Sequence, residues 1–161
     1  MNQQRTAMQP ALQRILSEES AGLNELEGLL ESETHILQGE DVNAIQRIGT
    51  ERHRCVERLT RLDAERADLC RMLSFGSGLA AIEKLLAWTD PQGQLRTQWL
   101  SNLQVASRCR EINDRNGAIV AVKLGRVQKR LALLRGSPLP PVYGPRPTRH
   151  TGLAARDLGQ A

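Results

Sequence analysis

Met8, Leu12, Ile15, Leu16, Leu23, Leu26, Leu29, Leu30, Ile36 and Leu37 recur at the spacing of one face of a helix. Val42, Ile45, Ile48, Cys55, Val56, Leu59, Leu62, Leu69, Met72 and Leu73 do the same. Each run spans roughly 30 residues, enough for a helix about 45–50 Å long. Between them Gly39 is placed to stop the first helix and Asp41 to cap the second. So short a connection makes antiparallel neighbours. Strand signals are missing: Phe75, Trp88, Trp99 and Tyr143 are the only aromatic residues, and Leu, Arg, Glu, Ala and Gln dominate. The expected fold is therefore all-α, built on an antiparallel coiled-coil helical hairpin.

SFGSG, residues 74–78, interrupts the pattern, and LAAIEKLLAW then supplies a short helical piece. Asp90-Pro91 has the form of a helix start, with Asp at the cap and Pro at the first helical position. A long third helix from there would end at Arg135, before Gly136. Roughly 45 residues make about 67 Å, more than either arm of the hairpin, so the surplus must bend, break or project. Residues 137–161 hold five of the seven prolines, which forbid regular helix. The chain divides into a helical domain, 1–136, and a Pro-rich flexible tail, 137–161. Only a partner, or packing of Val142 and Tyr143, would tie the tail down, with at most a short turn of helix at 153–158.

The third helix contains an odd stretch, EINDRNGAIVAV at residues 111–122. Asn113, Asp114, Asn116 and Gly117 are poor helix formers, and Asn116-Gly117 is a strong turn dipeptide. Register offers a test. One heptad position falls on Leu103, Arg110, Gly117, Leu124 and Leu131; the other falls on Ala106, Asn113, Val120, Val127 and Leu134. The phase passes through without slipping, which favours a continuous helix over a break at Asn116-Gly117. Asn113 and Gly117 then lie on the apolar stripe, and Asn116 lies beside them between Ile112 and Ile119. A seam Asn fixes register at a cost in stability, and a seam Gly admits a close backbone. Two readings stay open. These residues set packing within the bundle, or Ile112, Asn113, Asn116, Gly117, Ile119, Val120, Leu124, Val127, Leu131 and Leu134 form a face for a helix from another protein.

Charge is unevenly spread. Residues 1–50 hold three bases against eight acids, and residues 91–161 hold twelve against three. That asymmetry predicts that the acidic first helix and the basic last helix lie near one another. The bases from Arg108 to Arg135 spread round the last helix, and no helix-turn-helix or RNA-binding aromatic motif accompanies them, so nucleic acid is not an expected partner.

Sites of other kinds leave no trace either. Cys55, Cys70 and Cys109 form no CxxC, and His35, His53 and His150 bracket no cysteine at zinc spacing, so no metal or cofactor is expected. Unpaired cysteines suit a reducing cytoplasm. The carboxylates Glu18-Glu19, Glu25/Glu27 and Glu31/Glu33 read as the wet face of the first helix, and both tryptophans as core. No phosphate loop, GxSxG or HExxH occurs, which argues against an enzyme. No apolar run reaches 18 residues and the first ten contain no apolar core, so neither membrane insertion nor a signal peptide is expected.

Two leucine-rich helices, a Trp-bearing start to a long third helix, Asn113 with Asn116-Gly117, the amphipathic run from Ile119 to Leu134, Gly136 and then Tyr143-Gly144 together resemble the FlgN family. The resemblance spans about residues 10–147. It implies a cytoplasmic chaperone of flagellar type III export. Such a protein would bind the C-terminal helical segment of the hook–filament junction proteins FlgK and FlgL through its own C-terminal helical region. It would then present them to the export gate, FlhA. A tyrosine in the C-terminal part of family members contributes to gate docking, and the role would fall on Tyr143. Junction proteins carry amphipathic terminal helices whose exposed stripes self-associate, and a chaperone lends a helical groove instead. When empty it stays soluble by covering that groove with a mobile last helix, hinged at Asn116-Gly117, or by self-association with another copy. A structural coiled-coil adaptor or scaffold is the alternative.

Overall fold

The computed structural model describes residues 2–136 of the chain. The expectations for the tail, including Tyr143, Val142 and a turn of helix at 153–158, lie outside the described residues. Among the described residues there are four helices: α1 Asn2–Gln38, α2 Val42–Met72, α3 Leu79–Thr89 and α4 Gln94–Leu134. The fold is all-α, with the expected hairpin and a long last helix. Asp41 caps α2 as anticipated, its carboxylate accepting from the Ala44 amide at 3.0 Å. The break after α2 is made by Ser74, Gly76 and Gly78, all with positive φ.

The start of α4 differs from the expectation. Asp90 ends α3, residues 91 and 92 form a turn, and left-handed Gly93 (φ 82°) leads into the helix. Asp90 still serves α4 from across that turn, because its carboxylate accepts from the Leu95 amide at 2.6 Å.

Helix α1 is the centre of the molecule, packing against α2 on one side and α4 on the other, while α2 and α4 meet only through side chains. The direction of α4 is set by a constant offset. Asn102 Nδ2 donates to the Leu16 carbonyl at 3.0 Å, Cys109 Sγ to Leu23 at 3.6 Å and Asn116 Nδ2 to Leu30 at 3.0 Å. Partners that advance together by seven make α1 and α4 parallel. The short α3 therefore carries the chain from the end of α2 back to the start of α4.

Two apolar clusters fill the interior. Leu12, Leu16, Cys70, Leu85, Leu86, Leu95 and Trp99 close the α3 end, and Ile15, Leu30, Cys55, Leu59, Val105 and Ile112 continue up the hairpin. Fully buried leucines such as Leu12, Leu16 and Leu85 contribute roughly 1.5–3 kcal/mol each. The glycine that permits close approach is Gly22 on α1, where an added Cβ would lie 2.8 Å from Leu59 Cδ2; one on Gly117 would meet nothing within 4 Å.

Flanked on two sides, α1 has less wet surface than its charges suggest. Glu19 and Glu33, read as solvated, are 5% and 7% exposed. Each survives burial by pairing: Glu19 with Arg66 of α2, Glu33 with Asn116 of α4 and Arg52 of α2. Arg66 also pairs with Asp63, and its guanidinium lies 4.5 Å from the centre of the Trp99 ring. Burial pushes the Glu19 carboxyl above its ordinary value, against the pull of Arg66. The acidic and basic helices are neighbours, as the charge asymmetry predicts, but three of the six acids of α1 pair with α2 and one with α4. Glu25 pairs with Arg58 of α2, and among the described residues Arg108–Glu27, at 2.6 Å, is the ion pair that joins α1 to α4.

Candidate protein-binding surface

Helix α4 runs unbroken through Asn116-Gly117. Tertiary contacts override the turn propensity of the dipeptide. Asn116, 3% exposed, donates to the Leu30 carbonyl and to Glu33 at 3.0 Å each, and its Oδ1 accepts from the Thr34 hydroxyl at 2.7 Å. Asn113, half-buried, accepts from Arg52 at 3.1 Å, and Arg52 lies 3.6 Å from Glu33. One polar network thus ties α1, α2 and α4 together where the sequence looked weakest.

The surface of α4 carries two lines with different fates. The first faces α1 and runs Asn102, Cys109, Asn116, Lys123, Arg130. Its fourth member still reaches α1, Lys123 Nζ donating to the Gly39 carbonyl at 2.5 Å. A cation there satisfies a terminal carbonyl and complements the negative end of the α1 dipole. Past Lys123 there is no α1 left to meet. The second line faces α2 and runs Asn113, Val120, Val127, Leu134, with Gly117, Leu124 and Leu131 beside it. It starts against Arg52 and then leaves the bundle. Residues 124–134 extend about 16 Å beyond the hairpin tip.

The sequence-derived register is this second line. The seam buried against α1 lies one residue earlier, at Asn102, Val105, Cys109, Ile112 and Asn116. A hydrophobicity count misses it because three of the five are Asn or Cys; the seven-residue spacing of those three was the available signal.

The ten residues proposed as a binding face are therefore split. Ile112 and Asn116 are buried in the bundle, and Asn113 and Ile119 are half-buried. Gly117, Val120, Leu124, Val127, Leu131 and Leu134 are exposed. Of the ten large exposed hydrophobic residues described, seven lie between Val120 and Leu134, from 44% exposed at Leu131 to 84% at Leu134. Two of the seven, Val122 and Leu133, were missed by sequence reasoning and lie on the opposite side of the helix. Residues 115–135 hold six bases and no acid. Among the described residues Arg126, Lys129, Arg130 and Arg135 form no ion pair. An exposed apolar stripe of this kind, bordered by polar groups, is the mark of an interaction site.

The remaining chemistry is structural. The three cysteines are free and buried, and desolvation raises each thiol, Cys109 to about 11, so none is a thiolate near neutrality. Among the described residues no group of three or more His, Cys, Asp and Glu could hold a metal ion, and no helix is long and apolar enough to cross a membrane.

No curated protein and no solved structure shows a significant match to the chain. A family model described as "FlgN protein" does match, over residues 8–151. That range takes in nearly all of α1, the whole of α2, α3 and α4, and the exposed end of α4 with them. The chain belongs to the FlgN family, a family of flagellar export chaperones.

Proposed function

We propose that this chaperone acts in the cytoplasm on the hook–filament junction proteins FlgK and FlgL. It grips their C-terminal helical segment with the free end of α4 and brings them to the export gate FlhA. One observation carries the reading: seven of the ten large exposed hydrophobic residues among the described residues lie on a single helix end, Val120 to Leu134, projecting past the hairpin. A projecting helix with an apolar stripe offers another helix a partner along its length. Ile112 and Asn116 support that end by fixing α4 to α1, and contact with cargo falls to Gly117, Val120, Leu124, Val127, Leu131 and Leu134. Docking to FlhA is assigned to Tyr143, by the family resemblance alone.

The test is the double variant Val120→Asp, Val127→Asp. Both side chains are about half exposed, so helicity by far-UV circular dichroism should not change. Capture of the C-terminal segment of FlgK or FlgL by the purified chain should be lost. Unfolding of the variant, or undiminished capture, would remove the stripe from the binding surface. Tyr143→Ala should leave capture intact and weaken binding of the loaded complex to FlhA.

A further inference from the structure

Resting on the reading that the free end of α4 grips a helix, we infer that it selects an amphipathic helix with acidic edges. It rejects both a second copy of itself and its own tail. The heptad places Leu124 and Leu131 at one core position and Val120, Val127 and Leu134 at the other. Lys123 and Arg130 then fall immediately before the two leucines, at the edge position where charges decide which helix pairs with which. They lie seven residues apart, about 10.5 Å along the axis. They are also the last two members of the line that faces α1 lower down. The polar groups that tie α4 to α1 thus become, past the tip, a cationic edge beside an apolar stripe.

The opposite edge positions are Ala121, Gln128 and Arg135, so neither edge carries an acid. Two copies paired antiparallel would set Lys123 and Arg130 against each other, and paired parallel would set Arg130 against Arg135. Either arrangement opposes like charges. The chain's own residues 137–161 hold three Arg and one Asp, which cannot neutralise the edge. Charge complementarity leaves a different helix, with Glu or Asp repeating every seven residues beside its apolar stripe. Arg130 makes no ion pair among the described residues and is the principal discriminator; Lys123 is already engaged with Gly39.

The experiment uses the full chain and three synthetic helical peptides sharing one apolar heptad core, with Glu, Gln or Lys at the edge positions. Affinity is read by fluorescence anisotropy at low and high salt. The Glu peptide should bind roughly threefold to tenfold more tightly than the Gln peptide, and the Lys peptide most weakly. The preference should shrink with salt. Arg130→Glu should reduce binding of the Glu peptide and improve that of the Lys peptide without changing helicity. Any order in which the Glu peptide is not the tightest overturns the charge rule. A C-terminal segment of FlgK or FlgL is measured alongside. If it binds while the peptide order fails, helix binding stands and only the charge rule falls; if it too fails, the underlying function falls.

Discussion

The two halves of α4 are built from similar residues and do opposite things. Up to Asn116 the helix is held by α1, and three of its inward side chains, Asn102, Cys109 and Asn116, bond to backbone carbonyls of α1. From Val120 onward its large apolar residues meet solvent, and only the small Ala132 is buried. The first half turns polar groups inward, and the second turns apolar groups outward. Burying an Asn is tolerable only when its amide is satisfied, and exposing a stripe of Val and Leu is a liability unless something binds it. Together these make the first half an anchor and, on the function proposed above, the second a binding element.

The widest separation of the halves should come from one substitution made twice. Ile112→Asp puts a charge in the buried cluster and should cost more than about 3 kcal/mol in urea unfolding, or prevent folding. Val127→Asp, fifteen residues on, should stay within about 0.5 kcal/mol of the parent. Equal effects would erase the distinction.

The Glu19–Arg66 pair sharpens the comparison from within the anchor. Arg66→Met leaves the buried Glu19 carboxyl without its cation and should cost about 3–5 kcal/mol, whereas adding Glu19→Leu should recover most of it. pH gives a second check. Burial raises the Glu19 carboxyl in the fold, so the folded state holds the proton more tightly than the unfolded one. That contribution is full below the ordinary carboxylate value and is lost as pH rises through the raised one. The advantage of the parent over Glu19→Gln should therefore shrink from acidic to neutral pH, as measured by unfolding midpoints.

Smaller effects are expected at the junction of the halves. Asn116→Ala removes three hydrogen bonds, leaving Thr34 only the Leu30 carbonyl and Glu33 only Arg52, for about 1–3 kcal/mol in urea unfolding. Gly117→Ala should stabilise the free chain by up to about 1 kcal/mol, since Gly117 is helical with open space around it. Loss of cargo binding in that stabilised variant would mean that a partner backbone comes close at Gly117.

Much of this fold was legible in sequence because apolar periodicity, Asp41, Gly39 and SFGSG are local signals read by local physics. The anchor was harder. Its seam is written in Asn102, Cys109 and Asn116, which a hydrophobic count passes over in favour of the neighbouring Leu103 and Ala106 line. That α1 and α4 run parallel is decided by α3 and by contacts 86 residues apart, and nothing local encodes it. The burial of Glu19 and Glu33 follows from α1 being flanked twice, a consequence of topology rather than of pattern. The exposed stripe was the more readable half, since an apolar line that packs against nothing among the described residues keeps its full periodicity.

Hydrogen exchange along α4, with and without the C-terminal segment of FlgK or FlgL, tests the division most directly. In the free chain, amides from Trp99 to Asn116 should exchange only on global unfolding, and those from Val120 to Leu134 much faster. Adding the segment should slow the second group and leave the first unchanged. Uniform protection along the free helix, or a segment that protects residues 99–116 instead, would contradict the account.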